Sequence, residues 1–261
     1  MTTFAETDDG VRLHYRVQGP PDGPPLLLSH ALGLTHEMWE PQTPALCERW
    51  RVVRYDSRGH GRSDAPAGPY ALERLGRDAL AVMDAVGLSR SAFCGLSLGG
   101  MVGLWLAAHA PERVERLVAS NTAAHAPPPE RWNERIDAIG AHGMAEIVEG
   151  VLHAWFTPGF RERAAGEVER VRQMLLATSV EGYAATCAAV RDMDLRPALA
   201  RITAPTLVIV GAHDPSTPPA AGRAIAAAVP GAAERELASA HMSNVEAARA
   251  FTDAVTGFLS A

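Results

Sequence analysis

Residues 91–109 read SAFCGLSLGGMVGLWLAAH. The run Ser91–Gly95 is short and apolar, as a buried strand requires. From Leu98 onward Val102, Leu104, Trp105, Leu106, Ala107 and Ala108 make a broad apolar helix. Between them stands Gly95-Leu96-Ser97-Leu98-Gly99, a G-x-S-x-G pattern at a strand-to-helix turn. On such a turn the serine hydroxyl is held exposed above the sheet. The flanking glycines let strand and helix approach without Cβ clashes. The Leu98 N–H, at the helix N-terminus, is placed to meet a developing oxyanion. Glycine turns also occur without chemistry, so the flanking strand and helix are what give this pattern its weight.

Outward from this stretch the chain alternates between strand and helix. On the N-terminal side, Thr2–Thr7 and Val11–Val17 flank Asp9-Gly10 as a hairpin. Leu26–Ser29 and Arg51–Tyr55 read as strands, Met38–Trp50 and Leu72–Val86 as helices. On the C-terminal side Val114–Ser120 is a strand. Residues 121–199 then show helical periodicity with no clear strand, over Ile136–Ile139, Met144–Phe156, Val168–Thr178 and Gly182–Val190. The alternation resumes with Pro205–Val210, Pro219–Val229, Glu234–Leu237 and Val245–Leu259. This rhythm predicts an α/β fold with a mostly parallel, eight-stranded sheet covered by helices on both faces. Residues 1–120 and 200–261 form the expected core, and 121–199 a helical cap inserted at the C-terminal edge of the sheet.

A serine hydroxyl needs a base, usually a histidine held by a carboxylate. His241 follows the last strand in Leu237-Ala238-Ser239-Ala240-His241. Asp214 follows Thr206–Val210 through Gly211-Ala212-His213. Both fall at the strand ends, where open α/β sheets bind ligands. The order Ser97, Asp214, His241 is the one a nucleophile elbow of this kind uses. These three are the candidate triad. His213, the neighbour of Asp214, is expected to project elsewhere. His30 and His60 read as loop-shaping groups, and Cys94 as a small packed core residue. The second oxyanion donor is expected from the loop Ser29–Gly33, at Leu32 to within one residue.

The chain has 261 residues, enough to bury a sizeable core. A net charge of −6 argues against a nucleic-acid partner. All 24 basic residues are arginine, from which no function follows. Three scattered cysteines suggest neither a disulfide framework nor a zinc site. The histidines lack metal-binding spacing, and Gly59-His60-Gly61 lacks the context of a dinucleotide site. No metal and no cofactor is therefore expected. The start, MTTFAETDDG, does not read as a secretory signal, and no apolar run is long enough for a bilayer. A cytoplasmic enzyme without membrane contact is expected; the sequence leaves its oligomeric state open.

These residues resemble the α/β-hydrolase superfamily over nearly the whole chain. The resemblance includes Ser29–Gly33, Asp56–Ser63, Gly95–Gly100, Gly211–Asp214 and His241. Many members have His-Gly where this chain has His30-Ala31. More narrowly, the chain is similar to the 3-oxoadipate enol-lactonase family. That likeness rests on Met38–Gln42, Phe93–Gly103, Ala110–Arg113 and His241–Glu246 and, within the cap, on Asn121–Ala123, Trp155–Pro158 and Glu181–Asp194. The cap stretches narrow it, because fold alone does not fix function. The resemblance implies opening of a small anionic enol-lactone to 3-oxoadipate in aromatic-compound breakdown, through an acyl-enzyme. The substrate carboxylate then needs a cation, for which Arg suits best. Of the cap arginines, Arg131 lies early in the cap beside Trp132 and is the chosen substrate-binding group; Trp132 equally suits lid core.

Three alternatives stand beside this reading. Two use the same triad in a broad carboxylesterase or a cofactor-free perhydrolase. The third is a ligand-sensing receptor that keeps the fold without turnover.

Overall fold

The computed structural model describes residues 3–261, so Thr2, the first residue of the expected hairpin, lies outside the described residues. Eight strands, β1 (Thr3–Glu6), β2 (Arg12–Gln18), β3 (Pro25–Ser29), β4 (Arg51–Tyr55), β5 (Ser91–Leu96), β6 (Val114–Ser120), β7 (Thr206–Gly211) and β8 (Ala233–Leu237), form one sheet. Their spatial order is β1-β2-β4-β3-β5-β6-β7-β8. β1 pairs antiparallel with β2, and β2 with β4; every other pair is parallel.

The central strands are apolar on both faces because both are covered. Leu27, Val53, Phe93, Leu117 and Val208 face one core. Leu26, Leu28, Val52, Cys94, Val118 and Ile209 face the other. β8 is an edge strand, and its exposed Glu234, Arg235 and Glu236 blunt that edge with charge.

Three helices precede the cap: α1 (Thr43–Leu46), α2 (Leu72–Ala85) and α3 (Leu98–His109). Five helices lie between β6 and β7: α4 (Pro129–His142), α5 (Ala145–Trp155), α6 (Pro158–Arg163), α7 (Ala165–Ala177) and α8 (Val180–Asp192). They form the helical insertion. α9 (Pro219–Ala228), α10 (Ser243–Glu246) and α11 (Ala248–Ser260) complete the chain. Among the described residues no helix is long and apolar enough to cross a membrane.

Three local expectations need correction. The helix expected over Met38–Trp50 is a single 3-10 turn at His36–Trp39 and the four-residue α1. Pro41 and Pro44 lie in that stretch, and proline cannot supply the N–H that a helix interior needs. The closing helix is broken at Ala247, whose φ of −118° separates α10 from α11. α6 is too short to show a period and was absent from the periodic pattern.

The insertion is fastened to the core at its neck and its base. At the neck, Leu195 N–H donates to Ala124 O at 2.8 Å, and His125 bridges Asp194 antiparallel. At the base, α8 lies backbone to backbone on the loop after β4. A Cβ on Gly59 would come within 2.6 Å of Gly182 Cα, so only glycine at this crossing permits the approach. Tyr70 N–H also donates to Ala185 O at 3.0 Å.

Candidate active site

β5 runs straight into α3 with one residue between them. That residue, Ser97, has φ 57° and ψ −115°, a conformation costing a non-glycine residue roughly 1–3 kcal/mol. Its surroundings hold it there. Ser97 N–H donates to Ser120 O at 2.9 Å, and Thr122 Oγ1 donates to Ser97 O at 2.7 Å. A Cβ on Gly95 would sit 2.1 Å from Gly99 O, and one on Gly99 would sit 2.1 Å from Ser29 O. The two glycines of the motif therefore set how closely β5, α3 and β3 meet.

Asp214 and His241 follow β7 and β8 at the same edge. His241 Nδ1 lies 2.8 Å from Asp214 Oδ2, and both side chains are buried. Asp214 is surrounded by donors. Ser216 N–H and Thr217 N–H reach Oδ1 at 2.8 and 3.0 Å. Thr217 Oγ1 and Asn121 Nδ2 reach Oδ2 at 2.8 and 3.1 Å. Burial pushes the Asp214 carboxyl up, but the His241 imidazole and these donors outweigh it and hold the group below its usual value.

The loop carrying His241 is tied on each side. Asn121 Nδ2 also donates to Ala240 O at 3.2 Å, and Glu246 accepts from Ala240 N–H at 2.9 Å. Met242 N–H donates to Trp155 O at 3.1 Å, so the C-terminal end of α5 holds this loop from the cap side. The Trp155 and His241 rings lie 5.6 Å apart.

The loop after β3 turns tightly, with Leu34 N–H donating to Ala31 O at 3.1 Å. The positive φ falls on Gly33, at 81°, and not on Ala31. Alanine in place of the usual glycine is thus accommodated without strain. His30 and His60 brace the loop as acceptors. His60 Nε2 accepts from Gly33 N–H at 2.9 Å, and His30 Nε2 accepts from Ser57 N–H at 2.8 Å. Each ring donates its Nδ1–H to a backbone carbonyl, that of Arg58 and Ala31 respectively. Burial keeps both rings neutral, pulling His60 down to about 3. Leu32 N–H and Leu98 N–H have no acceptor among the described residues. Asp56 anchors the surrounding loops, accepting from His36 N–H, Arg62 N–H and the Nδ1 atoms of His14 and His36 at 2.7–3.1 Å.

Ser97, His241, Leu32, Arg131 and Trp132 all line one cavity of about 760 Å³ between the sheet edge and the cap. Asp214 lies behind His241, and Leu98 opens α3 next to Ser97. His213 lines a different, smaller hollow beside α5 and α6. Arg135 enters the main cavity half-buried, with its guanidinium 5.4 Å from the Trp132 ring and Nη1 donating to Tyr183 Oη at 3.3 Å. Trp132 is fixed by Nε1–H donating to Ala126 O at 2.9 Å. Neither Arg131 nor Arg135 has a carboxylate partner among the described residues, whereas Arg196, also on the cavity wall, pairs with Asp194 at 2.7 Å.

Three residues of this arrangement receive no role of their own from sequence reasoning: Asn121, Thr217 and Arg135, the last being one of several cap arginines beside the chosen Arg131. Asn121 carried a usable signal, a polar side chain directly after the buried strand β6. It stands at the same sheet edge as the expected triad, with a φ of 43°. Thr217 and Arg135 sit among other loop and helix polar groups that look alike in sequence.

A serine on a strained strand-to-helix turn and a buried carboxylate–histidine pair on the neighbouring strand ends are the marks of a hydrolase built on a doubly covered α/β sheet. The chain belongs to the α/β-hydrolase fold family, whose model matches residues 24–248. It is related to the enol-lactonases. It is 39% identical to 3-oxoadipate enol-lactonase 2 of Acinetobacter baylyi, over 95% of this chain and 93% of that protein. The enol-lactonase structure from Burkholderia xenovorans LB400 superposes with a TM-score of 0.97 at 42% identity, covering 99% of this chain and 100% of the other. A hydrolase structure from Pseudomonas aeruginosa PA01 gives a TM-score of 0.97 at 51% identity, covering 100% and 98%.

Proposed function

We propose that the protein is a serine hydrolase that opens 3-oxoadipate enol-lactone to 3-oxoadipate. Ser97 is the nucleophile, His241 the base and Asp214 its orienting carboxylate. Ser97 Oγ adds to the lactone carbonyl while His241 takes its proton. The oxyanion is received by the free N–H groups of Leu98 and Leu32, which cost no reorganisation when charge develops. Collapse breaks the ring C–O bond, and the enol leaves with the proton from His241. The leaving group stays tethered in the acyl-enzyme, where it could close the ring again. Ketonisation removes that internal nucleophile. Water, deprotonated by His241, then cleaves the acyl bond and releases the diacid.

The observation that carries the substrate reading is the cationic wall of the cavity that Ser97 also lines. Arg131 and Arg135 stand on α4 without acidic partners. A carboxylate arm entering there finds a charge-assisted donor. Arg135 is held by Trp132 and Tyr183, which makes it the better preorganised of the two. The similarity to enol-lactonases, which extends across the insertion, supports the same assignment.

The test is steady-state hydrolysis of the enol-lactone by the wild type, Ser97→Ala, Arg131→Ala and Arg135→Ala. Efficient turnover that Ser97→Ala abolishes, with KM raised by loss of one arginine, is the expected result. Negligible wild-type turnover alongside good activity on neutral esters would keep the nucleophile and discard the lactone. Unchanged KM in both arginine variants would discard the cationic wall.

A further inference from the structure

The cavity has two walls of opposite character. α4 supplies the arginine wall used above. α9 supplies the other, with Ala221, Ala224, Ile225 and Ala228. That spacing is one face of a helix, so a whole side of α9 lines the cavity. From Ala221 to Ala228, at about 1.5 Å rise per residue, the wall runs for about 10 Å. It carries only methyl and butyl side chains. The single charge of α9, Arg223, is bound on the outside to Glu234 of β8 at 3.2 Å. Leu199 adds to the same apolar lining. The carboxylate arm of a small lactone finds no donor on such a surface.

We infer that the α9 wall is an acyl-chain subsite, and that the protein also hydrolyses esters of unbranched carboxylic acids of hexanoate to octanoate length. This rests on Ser97 being the nucleophile. The wall is continuous with the cavity that holds Ser97, Leu32 and His241. An acyl carbonyl seated at Ser97 can send its chain toward α4, where it would desolvate two guanidinium groups, or along α9, where it meets only hydrocarbon. Ser97 Oγ adds to the ester carbonyl and the C–O bond to the alcohol breaks. The alcohol leaves with the proton held by His241, and water then cleaves the acyl-serine to the free acid. Each methylene laid on a wall that covers one side of it gains about half of full burial, roughly twofold in kcat/KM.

The test compares kcat/KM for 4-nitrophenyl acetate, butanoate, hexanoate and octanoate, with the Ser97→Ala rate subtracted. The readout is the hexanoate-to-acetate ratio within each variant. In the wild type it is expected to be about fifteen, from four methylenes at roughly twofold each. Ala224 is exposed, and glutamate is a good helix former, so Ala224→Glu keeps the fold while setting a carboxylate on the wall. There the ratio is expected to fall to about one, whereas Ala224→Leu, which keeps the wall apolar, retains the rise. A flat or falling wild-type series with the acetate ester turned over would overturn the subsite and leave Ser97 standing. A rise that Ala224→Glu leaves intact puts the chain elsewhere and also rejects it. No Ser97-dependent turnover of any ester or of the enol-lactone would overturn the nucleophile and the subsite together.

Discussion

The turn at Ser97 and the cap wall at Arg135 line one cavity, yet they are specified in different ways. At the turn, main chain meets main chain. Gly95 stands against Gly99 O and Gly99 against Ser29 O, each leaving no room for a Cβ. Ser97 takes its positive φ because the chain on both sides gives it no other path. At the wall, side chains reach into open space from a helix that would form equally well with other residues there. Arg135 is located by a ring contact and one bond to a hydroxyl. On the proposed reading, reaction chemistry is set by backbone geometry, and substrate choice by side chains that the fold does not dictate.

The largest expected effects lie at the turn. Ser97→Ala should lower kcat on the proposed enol-lactone substrate by about 10⁴- to 10⁶-fold, with Tm close to the wild type. Gly99→Ala should be worse in a different way. Its Cβ falls on the carbonyl of Ser29, which a side-chain rotation cannot relieve, so a loss of more than about 3 kcal/mol in unfolding free energy is expected. Denaturant melts of the two variants would separate these outcomes. A stable, folded Gly99→Ala protein would break the contrast, because the turn would then be as tolerant as the wall.

Asn121 gives the next effect. Its amide joins the Asp214 carboxylate to the carbonyl of Ala240, one residue before His241. Asn121→Gly keeps the left-handed backbone at no steric cost and removes only the amide. A bond to a charged group is worth about 1.5–3 kcal/mol, so kcat should fall about 10- to 100-fold with KM unmoved. An equal rise in KM would mean that the residue shapes the cavity instead of the Asp214–His241 pair. On the cap wall Arg135→Ala should leave kcat nearly intact and raise KM by about tenfold, the lower end for a charge-assisted contact. That split between kcat and KM expresses the comparison in kinetic terms.

The same difference explains what the sequence made legible. The turn announces itself because glycine, serine and glycine at fixed spacing have few other uses between an apolar strand and an apolar helix. Asp214 and His241 are readable because each follows a recognisable strand, and strand ends converge at one edge of a parallel sheet. The fold class and the helical nature of the insertion follow from periodicity alone. The short helices do not, since α1, α6 and α10 are shorter than two turns and two prolines hide the first. Arg135 is not separable from Arg131 in sequence, because both precede or follow Trp132 on one helix and only packing against Tyr183 tells them apart. Asn121 is bound to Asp214 across the chain, and such a partner becomes visible only after the strands are laid side by side, whereas Thr217 is three residues from Asp214 in the same turn and looks like any other loop hydroxyl.

The smallest expected effect concerns the loop that connects the two regions. His60 accepts the N–H of Gly33 at 2.9 Å, and Gly33 packs under Tyr183 and Leu175 of the cap. Burial draws His60 down to about 3, and His30 is lowered in the same direction. An unfolded histidine titrates near 6.5. Between about 6.5 and about 3 the unfolded chain therefore binds a proton that folded His60 refuses, and folding stability is lost as the pH is lowered through that window. Above it both states are neutral and the stabilisation is complete. Tm should accordingly be level above neutrality and decline between pH 7 and pH 5. His60→Gln, whose amide oxygen can still accept from Gly33, should shrink that decline while His30 preserves part of it. Matching declines in the two proteins would show that the acid sensitivity lies elsewhere. A smaller decline in the variant would trace it to the loop, where a proton on His60 turns the acceptor of the Gly33 N–H into a donor and breaks the bond that holds the proposed oxyanion site beneath the cap.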